Sequence, residues 1–329
     1  MNNLRTQSAC QFLVVTAAIL LNACQNITTQ QEHATPRGKH PLTDKIWDVN
    51  NQKMITADTL LQRLAKTRYV FLGETHDNED HHRIQAKVLQ NLIAVGERPV
   101  LAMEQFDTEY QSAIDESVAA KTATVDSIAT AGHFDRKGWN WPFYAPLITR
   151  ALEAKLPIVA LNLSRSKARN VAGRGFEAVE NENTKKLLLT TTWSQPQNET
   201  LLRQIVEGHC GNVPEEMLPK IIIAQRARDA TMANALIDKT TNSAVVILGR
   251  EHARKDIGAP IYLTSDAASH ASLQTRFIAV ALTEVESNRD APSDYLSQTQ
   301  EKQAFDYVWF TPPAQREDPC AGAVLPSSR

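Results

Sequence analysis

Short runs of consecutive apolar residues recur along the chain, at Tyr69 to Leu72, Val100 to Met103, Ile158 to Leu161, Ala244 to Leu248, Phe277 to Leu282 and Tyr307 to Phe310, mostly with helix-like segments between them. Runs this short and apolar at every position predict strands buried on both faces. That arrangement is an α/β fold, a mostly parallel sheet flanked by helices. The helix after the first strand carries Ile84, Val88 and Leu92 on one stripe, with Gly96 near its end. Ahead of it, Ile46 to Val49, Asn50-Asn51 and Met54-Ile55 predict a hairpin, and Thr56 or Asp58 can cap a helix through Leu60, Leu61 and Leu64.

Between Ser164 and Lys239 no strand pattern occurs, only helical patterns around 176–189, 199–207 and 215–237. A helical insertion at about 164–239, forming a lid or subdomain between strands, is the expectation. Its last helix would be about 35 Å long at 1.5 Å per residue.

The amino-terminal stretch has a different pattern. Arg5 is the only charge before the apolar block Phe12 to Leu21, which is too short to cross a bilayer comfortably and suits a signal peptide over residues 1–23. The block ends in Leu21-Asn22-Ala23-Cys24, which resembles the lipobox of bacterial lipoproteins. Cys24 then becomes an acylated amino terminus, and Gln25 after it points to the outer membrane. Residues 24–42, rich in Gln, Thr, His and Pro, are expected to be a flexible linker, with the domain occupying 43–329. No second run approaches about 18 apolar residues, so membrane attachment is expected through the lipid alone.

Charge adds an exclusion. Lys and Arg total 35 against 37 Asp and Glu, which leaves no broad electrostatic reason to expect nucleic acid as a partner. Of the four cysteines, Cys10 leaves with the signal and Cys24 is lipidated. Cys210 and Cys320 remain, and in an oxidising compartment an even pair predicts a disulfide.

Candidate chemistry follows the strands. Gly73-Glu74-Thr75-His76, Glu104-Gln105-Phe106, Asn162-Leu163-Ser164-Arg165 and Gly249-Arg250-Glu251-His252 each come directly after an apolar run. In a parallel sheet all carboxyl ends lie on one edge, where ligands bind, so these clusters are expected to converge. Glu74, His76, Glu104 and His252 offer two carboxylates and two imidazoles, suited to zinc, manganese or iron rather than calcium, or to general acid–base catalysis. His81 can face the crevice or the core, and His82 and His40 are expected in solvent. His209, beside Cys210 in the insertion, is a candidate ligand from the lid. The aromatic segment Gly138 to Pro146 precedes the helix leading to Ile158, which puts Tyr144 at the same carboxyl edge.

Together, Gly73-Glu74-Thr75-His76, Met103-Glu104-Gln105-Phe106, the run Trp141 to Tyr144, Val159-Ala160-Leu161-Asn162, His209-Cys210, Gln225 to Asp229 with Met232-Ala233, Gly249-Arg250-Glu251-His252, Asp306-Tyr307 and Asp318-Pro319-Cys320 resemble the ChaN family of bacterial haem-binding lipoproteins. The resemblance spans about Phe71 to Cys320. That family is associated with iron acquisition and is distantly similar to erythromycin esterases and Tiki metalloproteases. The resemblance implies haem (iron protoporphyrin IX) held between an α/β body and a helical lid, a tyrosine on the iron, and a homodimer bringing two haems face to face. An outer-membrane haem or iron receptor is the implied partner.

Residues 164–239 contain no tyrosine, so the ligand cannot come from the lid. Tyr144 is the first choice and Tyr110 the second, with His209 as a further haem contact to propionate or iron and Arg165 as a propionate partner. The competing expectations are a metal-dependent hydrolase of the erythromycin esterase or Tiki type, built on Glu74, His76, Glu104 and His252, and a tethered interaction module without chemistry.

Overall fold

The computed structural model describes residues 40–264, 277–296, 304–318 and 320–321. All of them belong to the larger of the chain's two units, Ala34–Arg329. The expected signal peptide, Cys24 and most of the linker lie outside the described residues. His40 is already part of the fold. It is buried, and its ring accepts from the Leu42 amide and meets the Glu286 carbonyl, so the expectation that it is solvated is corrected.

Each apolar run forms a strand. The hairpin β1 (Ile46–Asp48) and β2 (Lys53–Ile55) precedes helix α1 (Ala57–Leu64), which is capped by Thr56, whose hydroxyl accepts from the Thr59 amide. There follow β3 (Tyr69–Glu74), α2 (Glu79–Ala94), β4 (Val100–Asp107), α3 (Gln111–Ala119), α4 (Val125–Ala131), α5 (Trp141–Glu153) and β5 (Ile158–Asn162). After them come α6 (Arg165–Arg174), α7 (Glu182–Thr190), α8 (Gln195–Gly208), α9 (Leu218–Lys239), β6 (Ala244–Gly249), α10 (Ala259–Leu263), β7 (Phe277–Glu284) and β8 (Tyr307–Thr311). The polar helix α6 had no apolar periodicity to announce it.

The eight strands form one sheet in the order β2-β1-β8-β7-β3-β6-β4-β5. The six from β8 to β5 run parallel, and the hairpin joins antiparallel to β8. Alternation along each strand divides the core in two. Tyr69, Phe71, Ala102, Val246 and Leu248 face one side, beneath α6, α7, α9 and α10. Val70, Leu72, Leu101, Met103 and Ile247 face the other, beneath α1, α2 and α5.

Most of the insertion is therefore a layer on the sheet. The part with its own apolar contacts is α8, where Leu201, Ile205 and Ile257 gather with Trp193, Leu218 and Ile221. This is the lid. At its end, Cys210 is bonded to Cys320, as the cysteine parity predicted, with 5.4 Å between their Cα atoms. A loop of 110 residues closed in this way removes about 4–5 kcal/mol of chain entropy from the unfolded state.

Two side-chain contacts finish the sheet. At the β5 edge, Gln111 donates to the Ile158 carbonyl at 2.9 Å and accepts from the Ala160 amide at 2.7 Å. Near the opposite edge, buried Asp48 accepts from Arg63 at 2.6 Å and from the Asn51 amide at 3.0 Å, while Arg63 also donates to the Tyr307 hydroxyl.

Burial alone would push the Asp48 carboxyl up, but Arg63 and Asn51 outweigh it and hold the carboxyl below its ordinary value. A carboxylate with a depressed folded pKa contributes stability above its unfolded value of about 3.9 and loses it as pH falls through the folded one. Asp48→Ala is expected to cost about 2–4 kcal/mol in urea unfolding at neutral pH and to weaken the acid limb of the stability profile.

Candidate functional site

The crevice opens where the carboxyl ends of β3, β6 and β4 lie side by side. Because residues alternate between the two faces, Glu74 points with Val70 and Leu72 toward α2 and α5, whereas Glu104 points with Val100 and Ala102 toward α9. The two carboxylates therefore serve different surroundings.

Glu74 is 2% exposed. Its Oε1 accepts from the Tyr144 hydroxyl at 2.7 Å and from His76 Nδ1 at 2.9 Å, and its Oε2 accepts from Gln85 at 2.7 Å. His82 Nδ1 stands 3.1 Å from the same Oε2, out of line for a hydrogen bond, while its Nε2 donates to the His76 carbonyl. Burial would push this carboxyl up, yet the His82 imidazole, His76 and Tyr144 together hold it below its ordinary value. His82, expected in solvent, is instead buried and stacked on Phe143. His81 faces inward as well, accepting from the Thr75 amide and contacting the Thr311 hydroxyl, and burial pushes it down to about 3, so it stays neutral.

On the α9 side, Glu104 Oε2 accepts from the Gly249 amide at 2.7 Å, and its Oε1 lies 3.6 Å from His252 Nε2. His252 Nδ1 donates to Asp229 Oδ1 at 2.7 Å. Burial lifts the Asp229 carboxyl above its ordinary value despite the imidazole beside it. At His252 burial works downward, but Asp229 and Glu104 outweigh it and push the ring up to about 9, so the pair's proton sits on the imidazole. For His76 the same contest, burial against the bond to Glu74, leaves its pKa raised.

The two halves meet at Gly249. A Cβ there would sit 3.0 Å from His76 Cε1 and 3.6 Å from Glu104 Oε2, so the bare glycine lets the imidazole lie close over the strand end, and a larger residue would push it outward by a few tenths of an ångström. Glu74, His76, Glu104 and His252 thus converge on one strand end, but not in one pocket. Glu104 and His252 line the main cleft, His76 opens on a smaller cavity shared with Trp139, and Glu74 lies behind both.

The metal expected on these four residues finds no site. Among the described residues, no group of three or more His, Cys, Asp or Glu side chains is arranged to hold a metal ion. Of the four, Glu74 has both carboxylate oxygens taken by hydrogen-bond donors.

The main cleft has a volume of about 1250 Å³ and lies between the sheet edge, α6, α9 and the end of α8. Tyr110, Trp139, Arg165, Arg169, His209, Lys220 and Arg228 all line it. Tyr110 is half-buried, its ring stacked on His133 with centroids 4.1 Å apart. His209 Nδ1 lies 2.7 Å from the Ile205 carbonyl, which makes it the donor and leaves Nε2 the acceptor. Arg165 is exposed at the rim, 3.6 Å from Asp135. Arg228 donates to Asn162 at the end of β5.

Tyr144 is not among these residues. It is fully buried, its hydroxyl is spent on Glu74, and burial together with Glu74 pushes the phenol above its ordinary range, opposite to what an iron ligand requires. The expectation of Tyr144 at the crevice mouth is therefore corrected. The segment does lie at the predicted edge, but its ring turns into the core. Gln85 was not singled out in the sequence, and Asp229 entered only as the end of the motif Gln225 to Asp229, with no role assigned to it.

The family sequence model described as haem-binding uptake, Tiki superfamily, ChaN matches residues 60–263. No curated protein matches the chain. Among solved structures, ChaN of Campylobacter jejuni, described as binding haem cofacially, superposes with a TM-score of 0.63 at 24% identity, covering 80% of this chain and 95% of that one. An erythromycin esterase mutant in its open conformation superposes with a TM-score of 0.45 at 11% identity, covering 84% of this chain and 99% of that one.

The raised pKa of His252 has a pH signature. Relative to an unfolded value of about 6.5, its contribution to stability is complete below that pH and is lost as pH rises through about 9. Urea unfolding between pH 6 and 10 is expected to show this alkaline decline in the native chain and a much shallower one in Asp229→Asn. An equal decline in both would mean that Asp229 does not set the imidazole.

Proposed function

The chain belongs to the ChaN family of haem-binding uptake proteins in the Tiki superfamily, and from that premise we propose that it binds haem in the cleft between α6, α9 and the lid. The observation that carries this reading is the cleft itself. At about 1250 Å³ it exceeds the roughly 300–1,000 Å³ of ordinary small-molecule pockets, and both the body and the lid line it.

The donor set fits the group. Trp139, Ala168, Ala172, Met217 and Ile221 offer apolar wall, and Arg165, Arg169 and Lys220 offer cations for propionates. Tyr110, the tyrosine lining this cleft, is the axial ligand in our reading, with His209 Nε2 as the contact from the lid. Bound haem would supply a ferric iron that favours a hard phenolate. The chain's own residues hold and orient it and keep water from its faces.

The wider setting is part of the same proposal. Acylation at Cys24 tethers the protein to the outer membrane, a homodimer places two haems face to face, and an outer-membrane haem or iron receptor is the exchange partner in iron acquisition. Among the described residues no helix is long and apolar enough to cross a membrane.

A second reading has an observation of its own. The imidazolium of His252, fixed by Asp229, and the carboxylate of Glu104 stand 3.6 Å apart on the cleft floor, an acid and a base suited to hydrolysis without a metal.

Haemin titration separates the tyrosines. Tyr110→Phe is expected to lose the tyrosinate charge-transfer absorption and to weaken binding by about tenfold or more, 1.4 kcal/mol per factor of ten. Tyr144→Phe is expected to keep the spectrum while losing about 1–2 kcal/mol of stability, because Glu74 loses a donor. An unchanged spectrum in Tyr110→Phe would remove it as the ligand. For the second reading, ester hydrolysis that survives a chelator and falls about 10²–10⁴-fold in Glu104→Gln is the expected result, and no turnover by the native chain would end it.

A further inference from the structure

Strand β8 ends at Thr311 on the carboxyl edge, and residues 312–318 continue from it without regular structure. They run past the start of α2, where Asn78 donates to the Pro312 carbonyl at 3.0 Å and the Ala314 amide donates to Glu284 at 3.1 Å. Arg316 then pairs with both Asp77 and Glu284, joining the loop after β3 to the end of β7. Beyond it, Cys320 is bonded to Cys210. The tail is thus a strap, clamped to the body at Arg316 and tied covalently to the end of the lid. Cys210 directly follows His209, which lines the haem cleft.

The lid rests on a small apolar cluster in which Leu201, Ile205 and Ile257 are buried and Trp193, Val213 and Leu218 pack against them. At the other end of α8, Gln197 donates to the Asp256 carbonyl at 2.7 Å and pins that end to the body. Helix α8 terminates as the Gly211 amide bonds to Val206 and the Cys210 amide to Glu207, with Cys210 in the left-handed conformation at φ 56°. This helix ending prefers glycine at the left-handed position. A cysteine there serves the bridge rather than the turn, and the bridge in turn holds a backbone that a side chain disfavours.

We propose that the Cys210–Cys320 disulfide is a releasable latch on the lid: closed, it holds His209 over the cleft, and opened by a dithiol it frees the lid end and releases haem. In the opening step a dithiol reductant gives two electrons and two protons. The Sγ–Sγ bond breaks, Cys210 and Cys320 become thiols, and the reductant becomes a disulfide. The role in haem release rests on the haem-binding reading, whereas the mobility of the lid end does not.

The test uses the full chain in three states: oxidised, reduced with a phosphine, and as the double variant Cys210→Ala/Cys320→Ala. Haemin is preloaded and its transfer to excess haem-free acceptor is timed, while hydrogen exchange is followed over residues 205–217. Transfer about tenfold faster in the reduced and variant chains, with faster exchange at 205–217 and none in β3, is expected. Arg316→Ala, with the bridge intact, is expected to fall between the closed and open states in both measurements. Transfer within twofold of the oxidised chain overturns the latch whatever the exchange shows. If the double variant fails to fold, the reduced native chain decides. If the oxidised chain takes up no haemin, the haem reading fails by itself, and exchange alone then judges the latch: faster at 205–217 on reduction supports it, and unchanged exchange overturns it.

Discussion

Burying a carboxylate is tolerable only when hydrogen-bond donors surround it, and the arrangement around Glu74 follows from that requirement. Its oxygens draw in Tyr144 from α5, Gln85 from α2 and His76 from the loop after β3, with His82 of α2 close against them. Each of these groups comes from an element that also packs on the same face of the sheet. The carboxylate therefore registers two helices against the strand end and aims the His76 ring across Gly249. It also takes the Tyr144 hydroxyl out of the cleft, which Tyr110 lines.

The strands and the edge on which the chemistry gathers were legible in the chain, because fully apolar runs admit few other readings and parallel topology puts their ends together. The division of the site could have been read too. Glu74 is in step with Val70 and Leu72, whereas Glu104 is in step with Val100 and Ala102, and strand alternation sends the two to different faces. What resisted reading was rotation within a correct placement. Tyr144 does sit at the carboxyl edge, yet helix phase turns its ring inward. His82 carries the polar label of a solvent residue and is nevertheless stacked beneath Phe143. Asp229 lies mid-helix among alanines, and its partnership with His252 depends on how α9 crosses the sheet, which no local pattern records.

The sheet order explains why the cleft is wide. The chain goes from β3 to β4 and β5, then returns to place β6 between β3 and β4 before crossing to β7 and β8. Where the winding reverses, helices diverge and leave a crevice. The strand at the reversal ends in Gly249, so the crevice floor is backbone, open to an imidazole from one side and a carboxylate from the other. The cationic residues of α6 and α9 line the cleft above a floor where Glu104 and the His252 imidazolium lie side by side.

The side chain of Gln111 has a bearing on assembly. Strand β5 is the sheet's last parallel strand, and an open strand edge is where a second chain most readily adds by backbone pairing. Here a carboxamide already occupies the carbonyl of Ile158 and the amide of Ala160, imitating a neighbouring strand for one residue pair. The far edge is a three-residue strand bearing Lys53. With both borders blunted in this way, the sheet offers a second chain little open backbone on which to extend it.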